Sequence, residues 1–309
     1  MKFSFKDLNY PDEFHFRKII GPSNLIFEKP STLSDADKKS ICWIKKRGFS
    51  LDILKKNKAS FTVIHSDTDI DKLSKKKCFI LSDDPKLTFA KICKKLFVNH
   101  LSPSIHKSAI IDKEAKIKAS SFIGPNCIIG KARIGENCNL KGGVFIADNV
   151  DILNNVIIEH GAVIGSDGYG YSRDENRQLE QFPHLGGVLI EDNVYIGSNT
   201  CIDRGSLGNT IIGEGSKIDN LVHIAHNVNI GKNVMVIANA MIAGSAKINN
   251  NSWIAPSTSI LNQKSVGEGS TVGIGSVVLK DVRPNTVVTG VPARPLKQHV
   301  KIQRSLEEK

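Results

Sequence analysis

The chain has 309 residues, of which 40% are hydrophobic, 24% charged and only 6% aromatic. This length can bury a sizeable core, and the composition excludes extended disorder, collagen-like repeats and a small disulfide-dense fold. With 42 Lys and Arg against 31 Asp and Glu, the net charge is +11. Such a charge favours an anionic partner, and composition alone does not choose between nucleic acid, a membrane surface, a phosphorylated substrate and an acidic carrier protein.

Targeting segments and metal motifs are not evident in the sequence. The amino-terminal residues lack the basic and apolar regions of a signal peptide, and no stretch approaches the roughly 18–20 apolar residues of a membrane span. The cysteines are scattered, with no C-x-x-C pair. We therefore expect a cytoplasmic protein with reduced thiols, no membrane span and no bound metal. The cysteines are Cys42, Cys78, Cys93, Cys127, Cys138 and Cys201.

Residues 1–102 are predicted to form a small α/β domain. The apolar runs at 61–66 and 77–83 are typical of strands, and residues 85–100 have helical spacing. The tail, residues 291–309, is charged and is predicted to form a short helix or an extended arm.

Between residues 103 and 290, aliphatic residues recur at every sixth position. Neither a helical period of 3.6 nor strand alternation selects every sixth residue, whereas a solenoid with three six-residue sides per coil does. Each side then contributes one inward residue, and successive coils stack these residues into columns. The fold predicted is mainly β, a left-handed parallel β-helix of hexapeptide repeats. The spacing is carried by Ile105, Ile111, Ile117, Ile123, Ile129, Ile190, Ile196, Ile202, Ile212, Ile218, Ile224, Ile230, Val236, Ile242, Ile248, Ile254, Ile260, Val266, Val272 and Val278.

Glycine often follows the inward residue. We expect these glycines to occupy coil corners that need unusual φ values, with asparagine serving in similar places. The glycines in question are Gly124, Gly130, Gly135, Gly165, Gly197, Gly213, Gly231, Gly267 and Gly273.

The repeat is interrupted at residues 166–187. This segment is polar, glycine-rich and aromatic, unlike the coils on either side. A long loop of this composition on a solenoid is usually functional, although a tolerated surface insertion is the alternative.

Candidate chemistry lies in KIDNLVHIAHNVNIG, residues 217–231. Asp219, His223 and His226 are placed on neighbouring coil sides among aliphatic, Asn and Gly residues. Neutral imidazole can take a proton from a weak nucleophile, and a carboxylate can fix its tautomer. A histidine on a repeat scaffold is also often structural, so the spacing alone leaves the role of these residues open.

Residues 165–231 resemble UDP-3-O-acylglucosamine N-acyltransferase, the third acylation enzyme of lipid A synthesis. The motifs GYGY, IDRGSLGNTIIG and IDN-x3-IAHNV carry the resemblance, which extends more weakly to DDPKLTFAKI in the amino-terminal domain. It implies a homotrimer with sites between neighbouring β-helices. It also implies acyl transfer from a thioester to the amine of a nucleotide-linked amino sugar.

The resemblance also implies roles for particular residues. His226 matches the family's general base and Asp219 its supporting carboxylate. Trp43 and Phe49 match the aromatics between which the family stacks uracil, although both could be ordinary core residues. Tyr169 and Tyr171 of the loop are expected to contact the nucleotide sugar.

On the donor side, Gly244 falls where the family's pantetheine arm passes. Gln263 stands 37 residues after His226, where the lipid A enzyme has a second histidine. Glutamine can donate a hydrogen bond but cannot relay a proton. The segment 287–297 is similar to coenzyme A-dependent sugar acetyltransferases and differs from the helical extension by which the lipid A enzyme engages acyl carrier protein.

These departures favour an N-acyltransferase that acylates a UDP- or dTDP-linked amino sugar for O-antigen or capsule. The acyl group, expected to be a 3-hydroxyacyl group, would come from acyl-CoA or acyl carrier protein as co-substrate, with no bound cofactor. The alternative is the lipid A enzyme itself.

Other classes fit less well. A metal-dependent carbonic anhydrase needs a third suitably spaced histidine, and a noncatalytic β-helix scaffold leaves the Asp219 and His226 pair and the loop without a role. Nucleic acid binding has no recognised motif here.

Overall fold

The computed structural model describes residues 1–8, 10–44, 51–69, 75–99 and 101–307. The chain divides into two compact units, Met1–His100 and Leu101–Lys309, which are described separately. No helix in the described ranges is both long and apolar enough to cross a membrane.

The first unit is a five-stranded sheet with flanking helices. The predicted strands at 61–66 and 77–83 correspond to two adjacent strands of this sheet, Phe61–His65 and Cys78–Ser82, in which every residue is buried. They pair in parallel, which accounts for their continuous apolar character. The strands, in spatial order, are Lys18–Ile20, Cys78–Ser82, Phe61–His65, Ser40–Trp43 and Lys29–Pro30, and a separate pair is Phe3–Ser4 with Ile26–Phe27. The helices are Phe5–Leu8 (3-10), Pro11–Phe14, Leu51–Lys56 and Pro85–Leu96.

The predicted helix at 85–100 ends at Leu96. It begins at Pro85, where the Asp84 side chain accepts a hydrogen bond from the Leu87 amide at 3.0 Å. A carboxylate cap satisfies one of the amide groups that a helix leaves free at its start.

Trp43, predicted to stack on uracil, is half-buried at the end of its strand. Its ring stacks on Phe89 of the helix Pro85–Leu96, with centroids 6.2 Å apart and planes 27° apart. Phe49, its predicted partner, lies outside the described residues.

The second unit is a three-sided parallel β-helix, and the predicted fold class is confirmed. The chain passes in turn through three sheets, named here I, II and III. Sheet I consists of Ser104–Ile105, Phe122–Ile123, Asn139–Leu140, Ile157–Ile158, Tyr195–Ile196, Lys217–Ile218, Met235–Val236, Trp253–Ile254, Thr271–Val272, Val287–Thr289 and Arg294–Pro295. Sheet II consists of Ile110–Ile111, Ile128–Ile129, Phe145–Ile146, Val163–Ser166, Cys201–Asp203, His223–Ile224, Met241–Ile242, Ser259–Ile260 and Val277–Val278. Sheet III consists of Lys116–Ile117, Arg133–Ile134, Val150–Ile152, Gly187–Ile190, Asn209–Ile212, Asn229–Ile230, Lys247–Ile248 and Ser265–Val266.

The inward residues that recur at every sixth position form the core of this unit. From Ile212 to Val278, each predicted inward residue is at most 1% exposed. Ile105 differs, being 54% exposed, because it lies on an edge strand of sheet I that pairs on one side only. The periodic residues therefore pack on one another along the axis, as the stacking of coils requires.

The expectation about corner glycines is wrong for all of those residues except Gly165, whose φ is +90°. The left-handed corners are occupied mainly by asparagine, which tolerates positive φ. The other glycines leave room for the next coil: a Cβ at Gly197 would collide with the carbonyl carbon of Asp219. The asparagines with positive φ are Asn126, Asn137, Asn149, Asn155, Asn193, Asn199, Asn227, Asn233, Asn239, Asn251 and Asn285.

The interruption at 166–187 connects sheet II to sheet III. It contains an antiparallel hairpin of Tyr171–Arg173 and Leu179–Gln181. After the last coil, the tail forms the helix Leu296–Glu307.

Candidate active site

His226 lies at the corner between sheets II and III, just after the strand His223–Ile224. Its imidazole packs against the next coil at Gly244, where a Cβ would lie 2.8 Å from Nε2. Any side chain at this position would displace the ring, so Gly244 gives the imidazole its space.

The two predicted donor-binding residues are neighbours at this corner. The backbone N–H of Gln263 donates to the Gly244 carbonyl at 3.0 Å, and the Gln263 side chain is exposed one coil beyond. His226 and Gly244 therefore lie in one line along the solenoid, one coil apart, while Gln263 continues the neighbouring line of Asn227 and Ser245. Adjacent coils in such a line are separated by about 4.8 Å.

The loop 166–187 is inserted at this same corner, two coils earlier, and it reaches His226. His184 packs edge-to-face on the His226 ring, with centroids 5.0 Å apart and planes 61° apart. Gly168 lies against both rings, since a Cβ there would be 2.7 Å from Cβ of His226 and 2.8 Å from Nε2 of His184. The loop therefore forms one wall of the His226 site.

Asn227 holds the other side of the His226 ring. With φ at +59°, it turns its amide toward Ser206, whose backbone N–H donates to Oδ1 at 2.7 Å. That bond identifies the oxygen, so the Nδ2 group 3.0 Å from Nδ1 of His226 is the donor. The neutral His226 ring consequently carries its proton on Nε2.

The basicity of His226 is reduced by its surroundings. Burial, with a further contribution from the nearby His184, lowers the pKa of His226 below its ordinary value. The neutral form is therefore favoured at neutral pH, which is the form that can accept a proton.

We expect Asn227→Asp to raise the pKa of His226 and to move its proton to Nδ1. A carboxylate at this position still accepts from Ser206, but it replaces the donor facing Nδ1 with an acceptor and adds a negative charge. Titration of the histidine ¹⁵N and ¹³C NMR signals reports both the pKa and the tautomer. Asn227→Ser, which removes the amide without adding charge, is the control; an unchanged tautomer in the Asp variant would contradict the hydrogen-bond assignment.

The predicted pairing of Asp219 with His226 is not formed within the chain. Asp219 lies at the corner between sheets I and II, and its carboxylate accepts from the amides of Asn220 at 2.8 Å and Ala238 at 3.2 Å. Among the described residues, no hydrogen bond or ion pair joins Asp219 to His226. The reason is geometric, because the strand His223–Ile224 separates the two corners.

His223 instead faces a buried carboxylate. Its Nε2 lies 3.6 Å from Oδ2 of Asp203, which is 7% exposed. Burial raises the pKa of Asp203, against the opposing effect of His223. Sequence analysis missed Asp203, although it belongs to the motif IDRGSLGNTIIG.

The two loop tyrosines contact each other. Their ring centroids are 5.0 Å apart, and Tyr169 is 84% exposed while Tyr171 is 45% exposed. Two adjacent exposed rings on the loop can receive a sugar or a base by stacking. The base of the loop is fixed by Arg204, whose Nε donates to the Gly165 carbonyl at 2.7 Å.

Sequence analysis also missed His184 and Asn227. His184 gave no signal beyond its place in the loop, whereas Asn227 sits in a recurrent asparagine position that indicates a corner. In the part of the chain that the structure describes, no three His, Cys, Asp or Glu side chains are placed to hold a metal ion.

Comparison with known proteins places the chain among named acyltransferases. No family model matches the chain. A UDP-3-O-acylglucosamine N-acyltransferase from Desulfotalea psychrophila is 36% identical over 301 residues, covering 91% of this chain and 86% of the relative. The enzyme of the same name from Polynucleobacter asymbioticus is 33% identical over 176 residues, and there the chain spans about half of the relative, 49%.

Solved structures resemble the chain over a smaller part. A UDP-N-acetylglucosamine acyltransferase of Francisella novicida aligns over 65% of this chain and 73% of its own, with a TM-score of 0.58 and 30% identity. The corresponding protein from Campylobacter jejuni aligns over 65% and 77%, with a TM-score of 0.56 and 27% identity. Because the Desulfotalea relative matches nearly the whole sequence, the chain belongs to the UDP-3-O-acylglucosamine N-acyltransferase family.

Proposed function

We propose that this protein transfers a 3-hydroxyacyl group from a phosphopantetheine thioester to the amine of a UDP-linked, 3-O-acylated glucosamine. The observation that carries the proposal is the match to the Desulfotalea enzyme of that name over 91% of the chain. The relatives favour this lipid A substrate over the O-antigen or capsule sugar preferred on sequence alone. Gln263, which on sequence alone favoured the O-antigen or capsule sugar, lies at the same corner as His226. The choice between acyl-CoA and acyl carrier protein as donor is therefore a matter for experiment.

In the proposed reaction, the acceptor amine attacks the thioester carbonyl while His226 takes a proton from the amine. The tetrahedral intermediate then collapses, the C–S bond breaks, and the proton passes from His226 to the departing thiolate. The positive charge of the chain, +11, suits substrates that carry a nucleotide diphosphate and a phosphopantetheine.

The tautomer set by Asn227 adds one step to this scheme. For Nε2 to accept a proton, the ring must move its own proton to Nδ1, where it faces the Asn227 donor; a buried donor left unpaired costs about 1–3 kcal/mol. General base catalysis contributes about 10²–10⁴-fold, or about 3–5 kcal/mol. The cost is therefore smaller than the gain, and His226 can serve as the base.

The remaining assignments concern binding and assembly. We propose that Trp43, with Phe49, holds the uracil, that Tyr169 and Tyr171 contact the nucleotide sugar, and that Gly244 and Gln263 line the path of the pantetheine arm. We also propose a homotrimer with sites between neighbouring chains, as the resemblance implies, and a cytoplasmic location.

A substrate panel tests the proposed function. Purified protein is incubated with UDP-3-O-(3-hydroxyacyl)glucosamine, UDP-glucosamine and dTDP-linked amino sugars, each with acyl-CoA or acyl carrier protein donors, and products are read by mass spectrometry. The proposal predicts an N-acylated product from the first acceptor at the highest rate. Turnover confined to another amino sugar would replace the lipid A substrate with an O-antigen or capsule substrate, and absence of any acylated product would contradict acyl transfer itself.

We expect Gln263→His to raise kcat/KM with acyl carrier protein donors relative to acyl-CoA. Imidazole at this exposed corner position can relay a proton or take a charge, neither of which glutamine can do. Rates with both donors, measured on the same preparation, check the ratio. Gln263→Asn is the control, and an unchanged ratio would show that the residue is neutral for donor choice.

We expect Trp43→Ala to raise the KM for the nucleotide sugar with a smaller effect on kcat, since base stacking on an aromatic ring contributes about 1–3 kcal/mol. Because Trp43 also packs on Phe89, thermal unfolding must be measured on the same variant. Trp43→Phe keeps a stacking surface and should retain most of the affinity. A loss of stability with unchanged KM would return Trp43 to a purely structural role.

A further inference from the structure

His184 is a buried histidine with no assigned hydrogen-bond partner. It is 5% exposed, and neither Nδ1 nor Nε2 has a partner among the described residues. A buried polar group left unpaired is unfavourable, so a native structure that retains one does so for a reason. The reason lies in its neighbour, because the His184 ring is packed on His226, with centroids 5.0 Å apart.

The loop holds His184 in place from several sides. Its ring meets Phe182 edge-on at 6.1 Å and 80°, and a Cβ at Gly168 or Gly170 would lie 2.8 Å from Nε2 or 3.3 Å from Cε1. Glycine at both positions lets the loop backbone close on the imidazole. The ring is therefore confined between the loop and His226.

The charged groups around this pair are few and mostly engaged. Asp203 lies 3.6 Å from His223, and its carboxylate also interacts electrostatically with His184. Asp167 lies 3.5 Å from Arg204, whose Nε donates a hydrogen bond to the Gly165 carbonyl. The titratable side chain that packs on His226 is His184, another imidazole.

We propose that His184 is a positioning residue that holds the His226 ring in place and, by like-charge repulsion, keeps it in the neutral form able to accept a proton. This inference rests on the proposed function, in which His226 is the base. Two imidazoles in edge contact cannot both carry a proton without repulsion, and burial strengthens that effect. The lowered pKa of His226, caused by burial and then by His184, agrees with this arrangement.

The expected pH dependence follows from the lowered pKa of His226. A base with a lowered pKa remains active to a lower pH, so the acidic limb of the kcat/KM profile lies at lower pH with His184 present. In His184→Gln the repulsion is removed while a polar side chain is kept. The acidic limb and the midpoint of the His226 NMR titration should then both move to higher pH.

The experiment compares wild type, His184→Gln and His160→Gln. His160 is an exposed histidine at another corner, with Nδ1 3.2 Å from the Gly142 carbonyl, so its replacement should leave both readouts unchanged. Should His184→Gln fail to fold, as judged by thermal unfolding, His184→Asn is read by the same criterion. An unmoved His226 titration, or a loss of activity without a shift of the acidic limb, would overturn the proposal.

The NMR titration separates this inference from the proposed function. It measures the coupling of the two histidines without any substrate. A shifted titration in a protein that acylates no amino sugar would contradict the function and leave the coupling standing. An unshifted titration in an active acyltransferase would contradict the coupling and leave the proposed function standing.

Discussion

Replacing His226 with Gln or Ala should lower kcat by about 10²–10⁴-fold, the range of general base catalysis. The KM for the nucleotide sugar should change far less, because a general base stabilises the transition state and not the bound ground state. His226→Gln is the more informative variant, since it keeps a polar side chain of similar size between Gly168 and Gly244. Steady-state kinetics with the preferred acceptor and donor measure the effect.

The fold should be unaffected by this change. The core columns, such as Ile224 and Ile242, are fully buried and do not depend on the corner side chain. Thermal unfolding and oligomer size therefore serve as controls, and His160→Gln is a matched substitution at an exposed corner. Near-normal turnover by a folded His226 variant would eliminate His226 as the base.

Asp219→Asn and His226→Ala should complement each other in mixed trimers. Each variant alone is expected to be nearly inactive, with kcat reduced about 10²-fold or more. If Asp219 supports a histidine in a neighbouring chain, trimers purified through two different tags should recover about one third of wild-type activity. In either mixed composition, one of the three interfaces of a cyclic trimer pairs an intact Asp219 with an intact His226.

This prediction follows from the separation of the two residues within one chain. Asp219 is at the I–II corner, bound to the amides of Asn220 and Ala238, whereas His226 is at the II–III corner. Mixed trimers without recovered activity would place any cooperation within a single chain. High activity of Asp219→Asn by itself would instead reduce Asp219 to a corner residue that satisfies backbone amides. Asn at 219 can also leave an amide unpaired, so thermal unfolding of each variant is measured alongside.

Much of the site can be predicted from sequence only through resemblance to a family. The resemblance predicts roles for His226 and Gly244, and the structure places these two residues in contact. The tautomer of His226 was not predictable, because it depends on which atom of Asn227 faces Ser206. The packing of His184 on His226 was equally unpredictable, since nothing in the local sequence of His184 marks it.

What the sequence determined by itself is the solenoid. An Ile or Val at every sixth position can be buried only if the chain turns through three equal sides, so the spacing specifies the columns, the three sheets and the composition poor in aromatics. The spacing is a local property of the sequence, present in each six-residue repeat. It survives the interruption at 166–187, because the spacing resumes at Ile190.

Only the tertiary structure decided which side chains meet. In a three-sided coil, residues a few positions apart lie at different corners, while residues one coil apart stack about 4.8 Å from each other. Asp219 and His226 are therefore close in sequence but lie at different corners of the folded chain. His184 and His226 are far apart in sequence and in contact, because the loop is inserted at the corner where His226 lies.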